Sequence, residues 1–296
     1  MASLKEFRMR IASVRSTQKI TAAMKMVSGA KLRRAEESVT KARPYAEHLR
    51  YVLSYLLSRA SDLQTPPPLL TGHPEINTVL LIVFSSDRGL CGSFNASIGR
   101  ETQKIVQVYR EKGTQVRILC VGRKTADLLK GHLPPEASFL DIIVDGLRSE
   151  SAFKTAEDLA GRVVALFEAL EIGEVHLLYN RFYSAMRSTF TNLRLIPVED
   201  TFTTAEILPA APLIEPSEEE VLQLLLESNI TLQIYQAALE SFASEQGARM
   251  TAMDGATRNA EDMLSRLTLH YNRTRQALIT KELTEIVSGA EALGSG

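Results

Sequence analysis

Ser217-Glu218-Glu219-Glu220-Val221-Leu222-Gln223-Leu224-Leu225 opens the stretch that decides the fold. From Ser217 to Gly296 there are 80 residues and no proline. Ser217 and Glu220 form a capping box, in which the serine hydroxyl accepts a backbone N–H and the glutamate reaches back to the cap. Apolar residues then recur at steps of three and four: Leu222, Leu225, Ile230, Ile234, Ala237, Met250, Met253, Ala260, Leu264, Leu267, Tyr271, Leu278 and Leu283. About 70 helical residues at 1.5 Å rise make a rod of roughly 100 Å, against ~10–14 residues for an average helix. A rod of that length needs an equally long partner, in this chain or another.

The amino terminus offers one. Ser3-Leu4-Lys5-Glu6 is a second capping box, and no proline follows until Pro44. Ile11, Val14, Thr21, Met24, Val27, Ala35 and Val39 fall near one face, interrupted by Gln18 and Lys31. The pattern resumes at Leu49, Val52, Leu53, Leu56 and Leu57, and Pro44 either kinks this helix or starts a new one. Two long terminal helices predict an antiparallel pair with the rest of the chain inserted between them. The 3.5-residue seam of a supercoil is imperfect in the apolar residues, so a loosely wound pair is expected.

Charge separates the two helices. Residues 1–50 carry twelve basic and four acidic side chains, net +8, whereas 217–296 carry six basic and twelve acidic, net −6. Either the helices complement each other along their flanks, or the basic one faces an acidic partner; nucleic acid is the weaker version of that second reading.

Between the helices Thr78-Val79-Leu80-Leu81-Ile82-Val83-Phe84 is a continuous apolar run of strand length, as in a strand buried on both faces. Further strands are expected at Val116–Val121, Ser138–Val144, Glu174–Tyr179 and Arg187–Ile196. Helices are expected from the loop after the first strand to about Lys112, at Lys124–Lys130 and at Ala152–Leu170. The alternation predicts a doubly wound, mostly parallel sheet with an antiparallel edge. The expected fold is α/β, with a long antiparallel coiled coil of N- and C-terminal helices and the sheet domain inserted. Its parts are 1–60, 77–197 and 217–290.

Chemistry is sparse. The loop Ser85-Ser86-Asp87-Arg88-Gly89-Leu90-Cys91-Gly92-Ser93 sits where such sheets bind phosphate, yet it is neither a dinucleotide fingerprint nor a P-loop. It is either a nucleotide site or a structural and docking loop. His48, His73, His132, His176 and His270 lack metal spacing, and His176 lies within an apolar strand. Asp141 and Asp145 flank a strand as a weak carboxylate pair. Cys91 and Cys120 form no Cys-x-x-Cys motif and suggest free thiols in a reducing compartment. No apolar run approaches the ~18–20 residues of a membrane helix, and no secretory signal precedes the first helix, so a soluble chain without direct bilayer insertion is expected. No catalytic, cofactor or metal site is expected.

Three segments in order carry a resemblance. Lys19-Ile20-Thr21-Ala22-Ala23-Met24-Lys25-Met26-Val27 with Ala30-Lys31-Leu32, the loop from Ser85 to Asn95, and Ser244-Glu245-Gln246-Gly247-Ala248-Arg249-Met250-Thr251-Ala252-Met253 resemble the γ subunit of F-type ATP synthase. Tyr271-Asn272-Arg273-Thr274-Arg275-Gln276-Ala277, running into Ile279-Thr280-Lys281-Glu282-Leu283, extends the match, which covers essentially the whole chain.

The resemblance implies a central-stalk rotor with no chemistry of its own. Its terminal helices form a shaft through the hexamer of α and β subunits. Its sheet domain lies at the foot, near the ε subunit (the mitochondrial δ equivalent) and the membrane c-subunit ring. It implies shaft contacts to the β subunit at Lys19, Met24, Lys25, Arg275, Gln276, Thr280 and Glu282. It also implies a foot-domain loop at Asp87, Arg88, Gly89 and Gly92, and an apolar tip at Ile279, Leu283, Ile286 and Val287. The regulatory cysteine insert of chloroplast chains is absent from this sequence. Met1 and the lack of an Arg-rich transit segment favour the cytoplasmic face of a bacterial inner membrane, with the matrix side of the mitochondrial inner membrane as the alternative. Two competing classes are a nucleotide-dependent enzyme oligomerised by its helices, which would bind nucleotide tightly, and a basic coiled-coil nucleic-acid protein, which would bind DNA with steep salt dependence.

Overall fold

The computed structural model describes residues 4–60, 67–131, 133–146, 152–198, 214–215 and 217–294, with backbone alone at 59–60 and 291–294. The order is α1 (Leu4–Ala60), α2 (Pro68–Thr71), β1 (Thr78–Phe84), α3 (Phe94–Glu111), β2 (Gln115–Val121), α4 (Arg123–Leu129), β3 (Ala137–Ile143), α5 (Ala152–Glu168), β4 (Glu174–Ser184), β5 (Arg187–Ile196) and α6 (Glu218–Gly294). The chain divides into two compact units, Met1–Val27 with Met250–Gly296, and Ser28–Arg249.

In the first unit α1 and α6 run antiparallel. Lys25 Nζ lies 2.6 Å from Asp254 Oδ1, Thr257 Oγ1 donates to Thr21 Oγ1 at 2.8 Å, and Arg8 Nε donates to the Tyr271 hydroxyl at 2.9 Å. The shielded positions of α6 include Met253, Thr257, Ala260, Leu264, Leu267, Tyr271 and Thr274, in alternating steps of four and three. Those of α1 include Leu4, Phe7, Ile11, Val14, Gln18 and Thr21. This is a regular heptad seam, tighter than the apolar residues alone suggested. Val27 is exposed, while Ser28 in the second unit is buried. Threonine and serine hydroxyls can bond back to the preceding turn, as Thr21 does to the Gln18 carbonyl at 3.0 Å, so small polar residues occupy a seam without orphaned groups.

In the second unit the five-stranded sheet has the order β3-β2-β1-β4-β5. β1 pairs parallel with β2 and β4, β2 pairs parallel with β3, and β5 is antiparallel to β4. Alternate residues of β1 enter opposite cores. Leu80, Ile82 and Phe84 join α5, the end of α1 and the first turns of α6. Val79, Leu81 and Val83 join α3 and α4. Burial on both faces explains the unbroken apolar run, each such side chain contributing ~1.5–3 kcal/mol. Leu53, Leu56 and Leu57 of α1 share the first core with Leu222, Leu226, Ile230 and Ile234 of α6.

Helix α1 passes through Pro44 without ending. Pro44 is exposed, so the Thr40 carbonyl that loses its N–H partner is on the solvent side, where water can replace it. At the start of α6 the Glu220 N–H donates to Ser217 Oγ at 3.2 Å, as the capping box requires. The Ser3 box lies outside the described residues. The short α2 was not anticipated from sequence, and β4 runs to Ser184 rather than Tyr179. Beyond Leu178 it pairs only with β5, as a two-stranded ribbon.

Candidate functional site: the strand-end loop and the helix seated on it

Asp87, Arg88, Gly89 and Gly92 lie in the loop after β1, at the carboxyl end of the sheet where the strand order reverses between β1 and β4. That is the crevice where doubly wound folds bind ligands. Asp87 ties three strand ends together: Oδ1 accepts the Arg123 N–H at 3.1 Å and Oδ2 the Asp145 N–H at 2.8 Å. The Ser86 N–H donates to Asn95 Oδ1 at 3.1 Å, and Ser86 Oγ donates to the Arg88 carbonyl at 2.6 Å. Gly92 has φ of 59°, a conformation glycine adopts without strain. Gly89 has open space at its Cβ position, so what it contributes is its carbonyl.

That carbonyl is taken by α6. Arg249 Nη2 donates to the carbonyls of Arg88 and Gly89, each at 3.3 Å, while Nη1 pairs with Glu245 one turn back. Both side chains are buried. Burial pushes the Glu245 carboxyl up from its ordinary value, against the pull of Arg249. Ser244 Oγ donates to the Asn180 carbonyl at 2.9 Å. A Cβ on Gly247 would stand 3.0 Å from the Ala185 carbonyl oxygen, so glycine lets the ribbon approach the helix. The crevice therefore receives Ser244–Arg249 of the chain's own helix. Sequence reasoning quoted this segment as a motif but named neither Glu245 nor Arg249 as a site residue. A Glu/Arg pair at i, i+4 flanking a glycine was the available signal.

In the first unit, Lys19 is exposed, Met24 half-buried, and Lys25 bonded to Asp254. Lys25 and Arg258 together hold the Asp254 carboxyl below its usual range, the Lys25 hydrogen bond contributing most. Arg275, Gln276, Thr280 and Glu282 are exposed on α6, as are Leu278, Ile279, Leu283, Ile286 and Val287. By the pairing of Arg8 with Tyr271, Leu4 lies opposite residues near 275, so this apolar stretch continues beyond the described start of α1.

The other sequence candidates fall into separate local networks. Asp141 is bonded by Arg162 at 2.8 Å and lies below its ordinary pKa chiefly for that reason, whereas Asp145 offers its backbone to Asp87. The two make no shared site. His176 is a satisfied sheet residue: Nε2 lies 2.9 Å from the Tyr109 hydroxyl and 3.0 Å from Glu174, and Nδ1 lies 2.7 Å from Asn192 Oδ1. Cys91 and Cys120 are both buried and free, and burial pushes the Cys120 thiol up to about 12.

The Glu174 network sets an acid limit. The hydrogen bond from His176 is the main cause that holds this carboxyl below its usual 4.5. A depressed folded pKa contributes stability above the unfolded value and loses it as pH falls through the folded one. Urea midpoints should therefore drop as pH falls below that usual 4.5 and through the lowered folded value. Glu174→Gln should flatten that part of the drop; an unaltered acid limb in the variant would refute the assignment.

The family model described as ATP synthase matches residues 3–293. The ATP synthase gamma chain of Rhodospirillum rubrum is 45% identical over 305 residues, covering 99% of this chain and all of that protein. The gamma chain of Methylobacterium sp. (strain 4-46) is 47% identical over 294 residues with the same coverage. This chain belongs to the ATP synthase gamma chain family. Among solved structures, the Euglena gracilis mitochondrial ATP synthase in rotational state 3 aligns with a TM-score of 0.70 at 21% identity, over 99% of this chain and 95% of that one, which shows a shared fold. The central stalk of the Tetrahymena thermophila mitochondrial enzyme aligns at 0.57 and 25% identity, over 80% and 99%. As a gamma chain family member, the protein is a subunit of an ATP-synthesising, ion-transporting complex and part of its central stalk. No described helix is long and apolar enough to cross a membrane.

Proposed function

We propose that the chain is the rotor subunit of the ATP synthase central stalk, coupling ion flow through a membrane c-ring to shape changes at the catalytic β subunits. It performs no bond chemistry itself. The observation that carries this reading is the full-length 45–47% identity to gamma chains, spanning both terminal helices and the sheet domain. The Euglena neighbour belongs to an assembly of OSCP, F1 and c-ring, which supports the catalytic hexamer and the c-ring as partners here. The 1–60 and 217–290 segments serve as the shaft and 77–197 as the foot, near an ε subunit and the c-ring. The complex sits on the cytoplasmic face of a bacterial inner membrane, where this chain is peripheral. Each shaft orientation makes different contacts with open and closed β subunits, so turning it redistributes nucleotide affinity. Gentle purification of the tagged chain should bring α and β subunits with it, and ATP hydrolysis by that preparation should pump protons in membranes. A chain recovered alone, or one binding ATP tightly by itself, would overturn the reading.

Within it, Arg275 and Gln276 contact a β-subunit loop. Both are exposed on α6, and a guanidinium offers a fork of donors whose charge does not titrate away. The double change to alanine should lower coupled ATP turnover by about 10-fold, the scale of one lost charged hydrogen-bond pair, with folding unchanged. Wild-type turnover in assembled enzyme would remove both residues from the contact.

A further inference from the structure

We propose that the Glu245–Arg249 pair is a positioning device: it pins the Ser85–Ser93 loop to α6 and bears load between the sheet and that helix when the stalk turns. The inference deepens the rotor reading and rests on it. Among the described residues several ties join α6 to the strand ends and the β4–β5 ribbon, Glu240 with Phe182 and Arg181 among them, and they differ in kind. Ser244 makes one neutral hydrogen bond to β4, and Gly247 packs on the ribbon at Ala185. Arg249 reaches two successive main-chain carbonyls, those of Arg88 and Gly89. The main-chain acceptors have no rotamer of their own, and on the donor side burial and the bond to Glu245 hold the guanidinium, so displacement of the helix is passed to the loop.

The supporting groups keep this fork fixed. Glu245 neutralises Arg249 from one turn back, and the Gln246 side-chain amide donates to Glu245 Oε1 at 2.9 Å. The loop is held from its other side by Asp87 on the backbone of Arg123 and Asp145, and by Ser86 on Asn95. A pull on Arg249 thus reaches the ends of β1, β2 and β3 together. A buried ion pair is a poor choice for stability alone, since apolar replacements often serve as well. It is a good choice where direction has to be maintained.

Two variants test this in full-length chain and in the assembled enzyme. Arg249→Lys keeps the charge and loses the planar fork; Glu245→Gln combined with Arg249→Met removes both charges and roughly keeps the volume. In the full-length chain, amide exchange at 86–94 should accelerate by about 10-fold or more as the loop loses its tether, while β1 stays protected. In membranes of a strain lacking its own gamma chain, protons pumped per ATP hydrolysed should fall at least ~3-fold, with hydrolysis at about half of wild type or more, the signature of lost coupling rather than lost assembly.

A structural role alone predicts that pumping and hydrolysis decline in proportion, and that result would overturn the proposal. So would unchanged loop exchange in both variants, a normal pumping ratio despite a loosened loop, or collapse of both variants. If only the double variant fails to fold, Arg249→Lys decides on the same two readings. Failure of the wild-type chain to restore pumping in that strain would instead count against the rotor reading, with loop exchange still deciding the tether.

Discussion

Replacing Gly122 by alanine is expected to destabilise the sheet core severely. Gly122 follows β2 at φ 108° and ψ 135°, in a region that L side chains rarely adopt. A Cβ there would stand 2.1 Å from the Ser85 carbonyl oxygen and 2.5 Å from its carbon. Neither atom can move alone, because the Ser85 N–H is bonded to Val121 at 2.7 Å and the Gly122 N–H to Ile143 at 2.8 Å. Strain and overpacking together cost about 3–5 kcal/mol, a large part of the ~5–15 kcal/mol that holds a domain folded. The chain has no tryptophan, so amide exchange in β1 and β2 is the suitable probe. Gly161 is the matched control: it is exposed within α5, with open space at its Cβ position. Gly161→Ala should stabilise by ~0.5–1 kcal/mol through helix propensity. Equal exchange in wild type and Gly122→Ala would refute the packing argument.

Met24→Lys should uncouple the enzyme without preventing its assembly. Met24 is half-buried beside Lys25, whose ammonium is already engaged by Asp254, and Lys19 lies exposed one turn away. A thioether makes weak, adaptable contacts and can slide past a moving partner. On the proposed contact of this stretch with a β subunit, a lysine at this point would pair with a carboxylate of that subunit in one rotational state and not in the others. Such a pair, worth ~1–3 kcal/mol when partly desolvated, deepens one well on the rotation path. That corresponds to about 5–150-fold in the balance between states. Pumping per ATP hydrolysed should therefore fall about 5-fold or more, while hydrolysis persists. If Met24 acts only as seam packing, the lysine weakens the helix pair and assembled enzyme falls instead. A normal pumping ratio at normal assembly would sink the ion-pair account.

Elements with long repeats or a full set of buried neighbours were legible in the residues. β1 and β5 have the expected bounds, and the remaining strands and helices fall close to theirs. The Ser217 cap forms as its spacing requires. The seam was misread at Val27 and Ser28, because apolarity marks what prefers burial, whereas helix geometry decides what is buried. Pro44 left its helix's fate open, since sequence does not say whether a freed carbonyl meets water.

Sequence by itself determined two long terminal helices, a strand buried on both faces, the alternation that makes a mostly parallel sheet, and, through three ordered segments, the family. These are local or periodic properties, written in neighbours three, four or two residues apart. Tertiary structure alone decided that the segment from Ser244 to Arg249 meets the segment from Ser85 to Ser93. Their contact joins residues 160 and 161 positions apart, through backbone carbonyls that every residue possesses. A main-chain acceptor leaves no mark on side-chain identity, so a guanidinium's partner of this kind emerges only once the sheet has placed its loop against the helix.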